Sequence, residues 1–160
     1  MTKGRYARQD KLIQEKRHDV YRSKEKWPEP TLCGGCGALF TNGRWTWKEP
    51  VEKANKATCP ACRRISDRFP AGTIEMKGDF FDANRDEILN LVRNIEKQQM
   101  GEHPLERIMD VTNGQGRTLV TTTGVHIARR IGEALSRSYK GDFSFQYGDG
   151  EKTVRVFWQR

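Results

Sequence analysis

The chain has 160 residues, room for one ordinary domain or for a small domain joined to a metal-supported module. Its hydrophobic fraction of 35% and charged fraction of 31% fit a modest core, and no apolar run approaches the ~18–20 residues of a membrane span. The net charge of +8 is unevenly placed: residues 1–30 hold nine Lys/Arg against five Asp/Glu, residues 31–70 seven against three, and residues 71–160 thirteen of each. An excess confined to the first 70 residues favours a polyanionic partner for that half, although the interspersed acids (Asp10, Glu15, Asp19, Glu25) also suit a solubilising tail. The charged N-terminus has no apolar stretch behind it, so no secretory signal is expected there and a cytoplasmic protein is the default.

Residues 1–30 are read as a basic arm, helical or disordered. Tyr6, Ile13, Val20 and Trp27 recur every seven positions, a stripe too thin to support a helix alone, so the arm either docks, orders on a partner or stays a polar tail. Pro28 and Pro30 then end any helix and mark the first boundary.

Residues 31–68 carry the only four cysteines, Cys33, Cys36, Cys59 and Cys62, as two C-x2-C pairs separated by 22 residues. Without a secretion signal a disulfide framework is not expected, and the spacing points to a four-cysteine zinc ribbon. Four protein thiolates leave no open coordination position, so the Zn2+ is expected to be structural and to hold a module too small for its own core. Four thiolates on a dication carry about −2, which Arg63 and Arg64 are placed to offset; the formal +8 then falls only to about +6. "ALF" and "RWTW" are expected as short strands around a turn at Asn42–Gly43, with the polar "KEPVEKANKA" as a loop or short helix. Trp45 and Trp47 share one side of such a strand. They are core, or a stacking platform for single-stranded RNA beside Arg44 and Lys48, or a seam against the next domain.

Residues 69–160 give the order β-α-β-β-α-β-β. "TIEMK" alternates as a strand, and Asn84 with Glu87 forms a capping-box pair ahead of a helix with Ile88, Leu91, Val92 and Ile95 on one face. "RIMDV" and "TLVTT" flank "NGQG" as a hairpin. Thr123 is placed to cap a second helix with Val125, Ala128, Ile131, Leu135 and Tyr139 inward, and "TTTG" offers backbone N–H groups to a phosphate. "DFSFQY" and "TVRVFW" close the chain as a third hairpin around "GDG". The fold class is therefore α+β: a zinc ribbon plus a sandwich of ferredoxin-like character with one added strand, preceded by the arm.

No catalytic constellation is visible. His18, His103 and His126 lie in three different elements, there is no phosphate loop or dinucleotide fingerprint, and "NGQGR" is a turn; an enzyme is not expected.

"CPACRRISDRFPAG", "RDEILNLVRNIEK", "RTLVTTTGVHIARRIGEAL" and the closing basic strand together resemble a group of short bacterial zinc-ribbon proteins. That group is similar to part of the archaeal and eukaryotic adaptor for large-ribosomal-subunit export and maturation. The likeness to the bacterial group covers nearly the chain from Pro30 onward. The adaptor has further zinc knuckles and domains that this chain lacks. The resemblance implies a zinc-stabilised module that docks on ribosomal RNA or a subunit interface. Taken with the charge, it gives the leading expectation: a non-enzymatic RNA-binding, ribosome-associated protein. Its RNA contacts are expected from Arg5, Arg8, Lys11, Lys16 and Arg17 of the arm, and from Arg44, Trp45, Trp47, Arg63, Arg64 and Arg68 of the ribbon. The alternative is a protein–protein adaptor docking through Trp45 and Trp47. A DNA-binding regulator ranks third, because no helix offers a clear base-reading face.

Overall fold

The computed structural model describes residues 27–50, 53–148 and 150–160. The arm, with Arg5, Arg8, Lys11, Lys16 and Arg17, lies outside them. Among the described residues the chain is α+β, with two sheets and four helices. No helix among them is long and apolar enough to cross a membrane.

The first sheet is small. β1 (Thr31–Cys33), β2 (Leu39–Thr41), β3 (Arg44–Thr46) and β4 (Asn55–Ala57) lie in the order β3-β2-β1-β4. β2 and β3 form the expected hairpin, with Thr41 paired to Arg44. Its two turn residues, Asn42 and Gly43, both have positive φ (53° and 80°), as a tight two-residue turn requires. β4 departs from the expected loop or short helix. Its three residues are polar or small and largely exposed, so no hydrophobic alternation announces it. It is a strand because its backbone pairs in parallel with β1, placing Ala57 opposite Cys33.

The second pair of cysteines opens a helix, α1 (Pro60–Asp67). Pro60 occupies the first turn, where its missing N–H costs nothing, and Cys59 is the N-cap. The Cys59 sulfur takes the role usually filled by a hydroxyl or carboxylate, accepting from the Cys62 N–H at 3.4 Å.

The larger unit is a five-stranded mixed sheet. Its strands are β5 (Gly72–Lys77), β6 (Ile108–Gly114), β7 (Arg117–Thr122), β8 (Asp142–Gly148) and β9 (Thr153–Gln159). They lie in the order β6-β7-β5-β9-β8. Only β5 and β9 are parallel; the other pairings are antiparallel. The helices are α2 (Asp79–Ala83), α3 (Arg85–Glu102) and α4 (Val125–Tyr139), so the β-α-β-β-α-β-β order is present with the first helical stretch broken at Asn84.

One sheet face is apolar and closes on the helices. Ile74, Met76, Val120, Val154, Val156 and Trp158 pack with Ile88 and Val92 of α3 and with Ile127, Ala128, Ile131 and Leu135 of α4. Gly132 lets α4 approach closely, since a Cβ there would meet Phe143 Cε1 at 2.5 Å and Val156 Cγ1 at 2.6 Å. The buried Trp158 indole is satisfied by the Lys140 carbonyl at 2.7 Å.

Two expected capping hydrogen bonds are not formed, although Asn84 is the N-cap of α3. The Asn84 side chain turns back to donate to the Phe80 carbonyl at 2.9 Å, because α2 already fills the space before α3. Gly124, not Thr123, is the N-cap of α4, and the Thr123 hydroxyl is used elsewhere.

Candidate metal centre

The two C-x2-C pairs converge between the turn after β1 and the first turn of α1. Each cysteine offers one sulfur, and the four sulfurs lie within 4.8 Å of one another. Cys33 and Cys59 are buried, Cys36 and Cys62 half-buried. A tetrahedral site with metal–sulfur bonds of about 2.3 Å spaces its sulfurs about 3.8 Å apart. The Cys33–Cys62 and Cys36–Cys59 separations are both 3.8 Å. The donor set therefore fits a single ion held by four sulfurs.

Backbone geometry prepares the thiolates. The Cys59 N–H donates to Cys33 Sγ at 3.3 Å, and Gly37 (φ 82°) lets the turn after β1 close with its N–H on the Cys33 carbonyl at 3.0 Å. Burial alone would push the Cys33 thiol up, but the N–H groups of Cys59, Cys36 and Gly35 draw its pKa down to about 6. Cys59 goes the other way: burial pushes its pKa well up, and charge on Cys36 and Cys33 pushes it further. Burial also raises Cys62, against a hydrogen bond from Arg107. Four thiolates this close oppose one another's ionisation, and a bound cation is what relieves that repulsion.

A cation of the protein's own already reaches the cluster. Arg107 lies in the segment between α3 and β6, far from the cysteines in sequence, and is buried. Its Nη2 donates to Cys36 Sγ at 3.0 Å and lies 3.7 Å from Cys59 Sγ, while Nη1 donates to Cys62 Sγ at 3.3 Å. Burial would disfavour its charge, but the sulfurs of Cys62 and Cys36 hold its pKa above the usual arginine value. The guanidinium is aimed by its own surroundings. Nε donates to the Pro104 carbonyl at 2.7 Å, and the Trp47 ring lies with its centroid 5.7 Å from the guanidinium carbon.

Thr123 fixes the Arg107 backbone. Its hydroxyl accepts from the Arg107 N–H at 2.8 Å and donates to the Leu105 carbonyl at 2.6 Å, and its own N–H donates to the Arg107 carbonyl at 2.9 Å. The neighbouring Glu106 points the opposite way. Its Oε1 accepts from the Ile127 N–H at 3.0 Å, so a carboxylate of the protein takes up an N–H group of the first turn of α4, the turn that "TTTG" opens.

Trp47 sits at the seam between the two sheets, and Trp45 sits within the cysteine module. Trp45 is half-buried and packs edge-on against Phe40 (5.4 Å) and Trp27 (5.5 Å), next to the cysteine cluster. Trp47 is 39% exposed, stacks over Arg107 and donates from Nε1 to the Met100 carbonyl at 2.6 Å. Of the arginines expected at the surface, Arg44, Arg63 and Arg68 are exposed. Arg64 is a correction: it is buried, with Nη1 donating to the Phe69 carbonyl at 3.0 Å, because the chain folds back over the last turn of α1. Charge near the thiolates comes from Arg107, a residue that spacing alone does not single out. No family model matches the chain, and no curated protein or solved structure matches it.

Proposed function

We propose that the chain is a non-enzymatic RNA-binding protein held together by structural zinc, acting in the cytoplasm on ribosomal RNA or a ribosomal subunit interface. The observation that carries this reading is the charge exposed on the cysteine module. Arg44, Lys48, Lys53, Lys56, Arg63 and Arg68 all face solvent, whereas the α+β domain from residue 71 onward has balanced charge. The basic arm adjoins the same module in sequence, and the resemblance to ribosome-linked zinc-ribbon proteins points the same way. Trp45 packs inside the cysteine module and Trp47 against Arg107 and Met100, so binding rests on charge more than on base stacking.

Zinc is the metal that suits a tetrahedral set of four soft thiolates, and a filled shell supplies structure, leaving no position for a reactive water. Cys33, Cys36, Cys59 and Cys62 would hold it. We read the larger domain as ferredoxin-like with β8 added: β7 lies between β5 and β6 as in a split βαβ unit, and the extra strand reverses β9 so that it runs parallel to β5.

Cosedimentation with ribosomes at low and high salt tests the reading. Binding through phosphates weakens steeply, log K falling by about 0.7–0.9 per contact per log unit of salt. Absence of binding at low salt, or binding indifferent to salt, overturns it.

A further inference from the structure

We propose that Arg107 is a working part of the metal site: reaching in from the α+β domain, it neutralises thiolate charge and thereby ties retention of the metal to the docking of the two sheets. The inference rests on the metal reading above and goes past the four ligands.

Four thiolates on a dication leave about −2 in a largely buried place. A guanidinium at 3.0–3.7 Å from three of the sulfurs supplies the counter-charge and hydrogen bonds to the charged form. Those bonds need no late ordering, because Pro104, Thr123 and Trp47 already fix the fork's direction. Hydrogen bonds of this kind, one layer beyond the ligands, tune a metal site, and their loss typically lowers affinity about 10–100-fold.

The same residue belongs to the seam. Arg107 enters from the strap between α3 and β6, and Trp47, which covers it, is tied to the end of α3 at Met100. Whatever docking adds to metal affinity through Arg107, the metal must add to docking by the same factor.

The test uses the full chain, apo and loaded with Zn2+ or Co2+. Chelator competition should show Arg107→Gln binding metal about 10–100-fold more weakly than wild type, with Arg107→Lys between them. In the Co2+ forms the thiolate-to-metal charge-transfer bands should shift in Arg107→Gln, a change that a merely structural role would not produce. In the unsubstituted chain, stripping the metal should raise hydrogen exchange at the amides of residues 105–108 and 123. Unchanged affinity and unchanged bands in Arg107→Gln overturn the proposal. So does exchange at the strap that ignores the metal, a result that stands even if the variants fail to fold. If the unsubstituted chain takes up neither ion, the metal reading itself falls and this inference with it.

Discussion

Arg107 Nη2 stands 3.0 Å from Cys36 Sγ, across 71 positions of sequence and between two sheets that share no strand. The smaller sheet has little else to hold it. Its buried apolar cluster consists of Cys33, Ala38, Cys59 and Ala61, three to four times fewer residues than the larger core contains. A module with so small a core depends on its metal. Chelation should therefore abolish slow hydrogen exchange in β1–β4 and α1 while the amides of β5, β7 and β9 stay protected. Loss of protection in both sheets together, or in neither, would contradict this division of stability.

Trp45 and Trp47 should behave as structural residues, Trp45 within the cysteine module and Trp47 at the seam. Trp45→Ala empties a half-buried site beside the cysteines and is expected to cost about 2–4 kcal/mol. Trp47→Ala removes a stacked cation and one hydrogen bond, about 1–2 kcal/mol. Arg44→Glu, at an exposed position, should leave the melting temperature nearly unchanged and weaken RNA binding. Thermal melts beside RNA titrations separate the two classes. A tryptophan variant that binds poorly while melting normally would restore the stacking role.

The elements that proved legible are those whose signal is local. Asn42–Gly43 announces its hairpin because both positions need positive φ, and the apolar period of Ile88, Leu91, Val92 and Ile95 announces α3. The four cysteines are legible because a ligand set is a spacing. What sequence missed depends on distant partners. β4 is a strand only because β1 lies beside it. Arg107 is one of thirteen cations in a charge-balanced half, and nothing near it in sequence says that the strap delivers it to sulfur. The missed caps have the same origin, since the Thr123 hydroxyl is more use to Leu105 and Arg107 than to its own helix.

Glycines on two helices should respond with opposite signs to one substitution. Gly101, near the end of α3, has nothing within 4 Å of an added Cβ, so Gly101→Ala should stabilise by about 0.5–1 kcal/mol through helix propensity alone. Gly132→Ala gains the same propensity but drives a methyl into Phe143 and Val156. Overpacking of this kind costs about 1–3 kcal/mol, so the net effect should be a lower melting temperature. Two stabilised variants would mean that α4 does not pack against the sheet as closely as described.

Glu106 supplies a pH dependence whose sign follows from its burial. Desolvation is the largest influence on its carboxyl and raises its pKa above the ordinary value near 4.5, while the Ile127 N–H and the charges of His126 and His103 act against the rise. The folded chain thus holds this proton more tightly than the unfolded chain does. Wherever that is so, stability falls as pH rises. The fall starts at the unfolded carboxylate pKa and is complete once the raised folded pKa has been passed. Glu106→Gln keeps an oxygen that can accept from Ile127 and removes the titration. Urea midpoints measured from below pH 4.5 to neutrality should therefore fall less with rising pH in the variant, the two proteins differing least at the acidic end. Parallel curves would show that Glu106 titrates folded as it does unfolded, its desolvation fully offset by the Ile127 N–H and the nearby histidines.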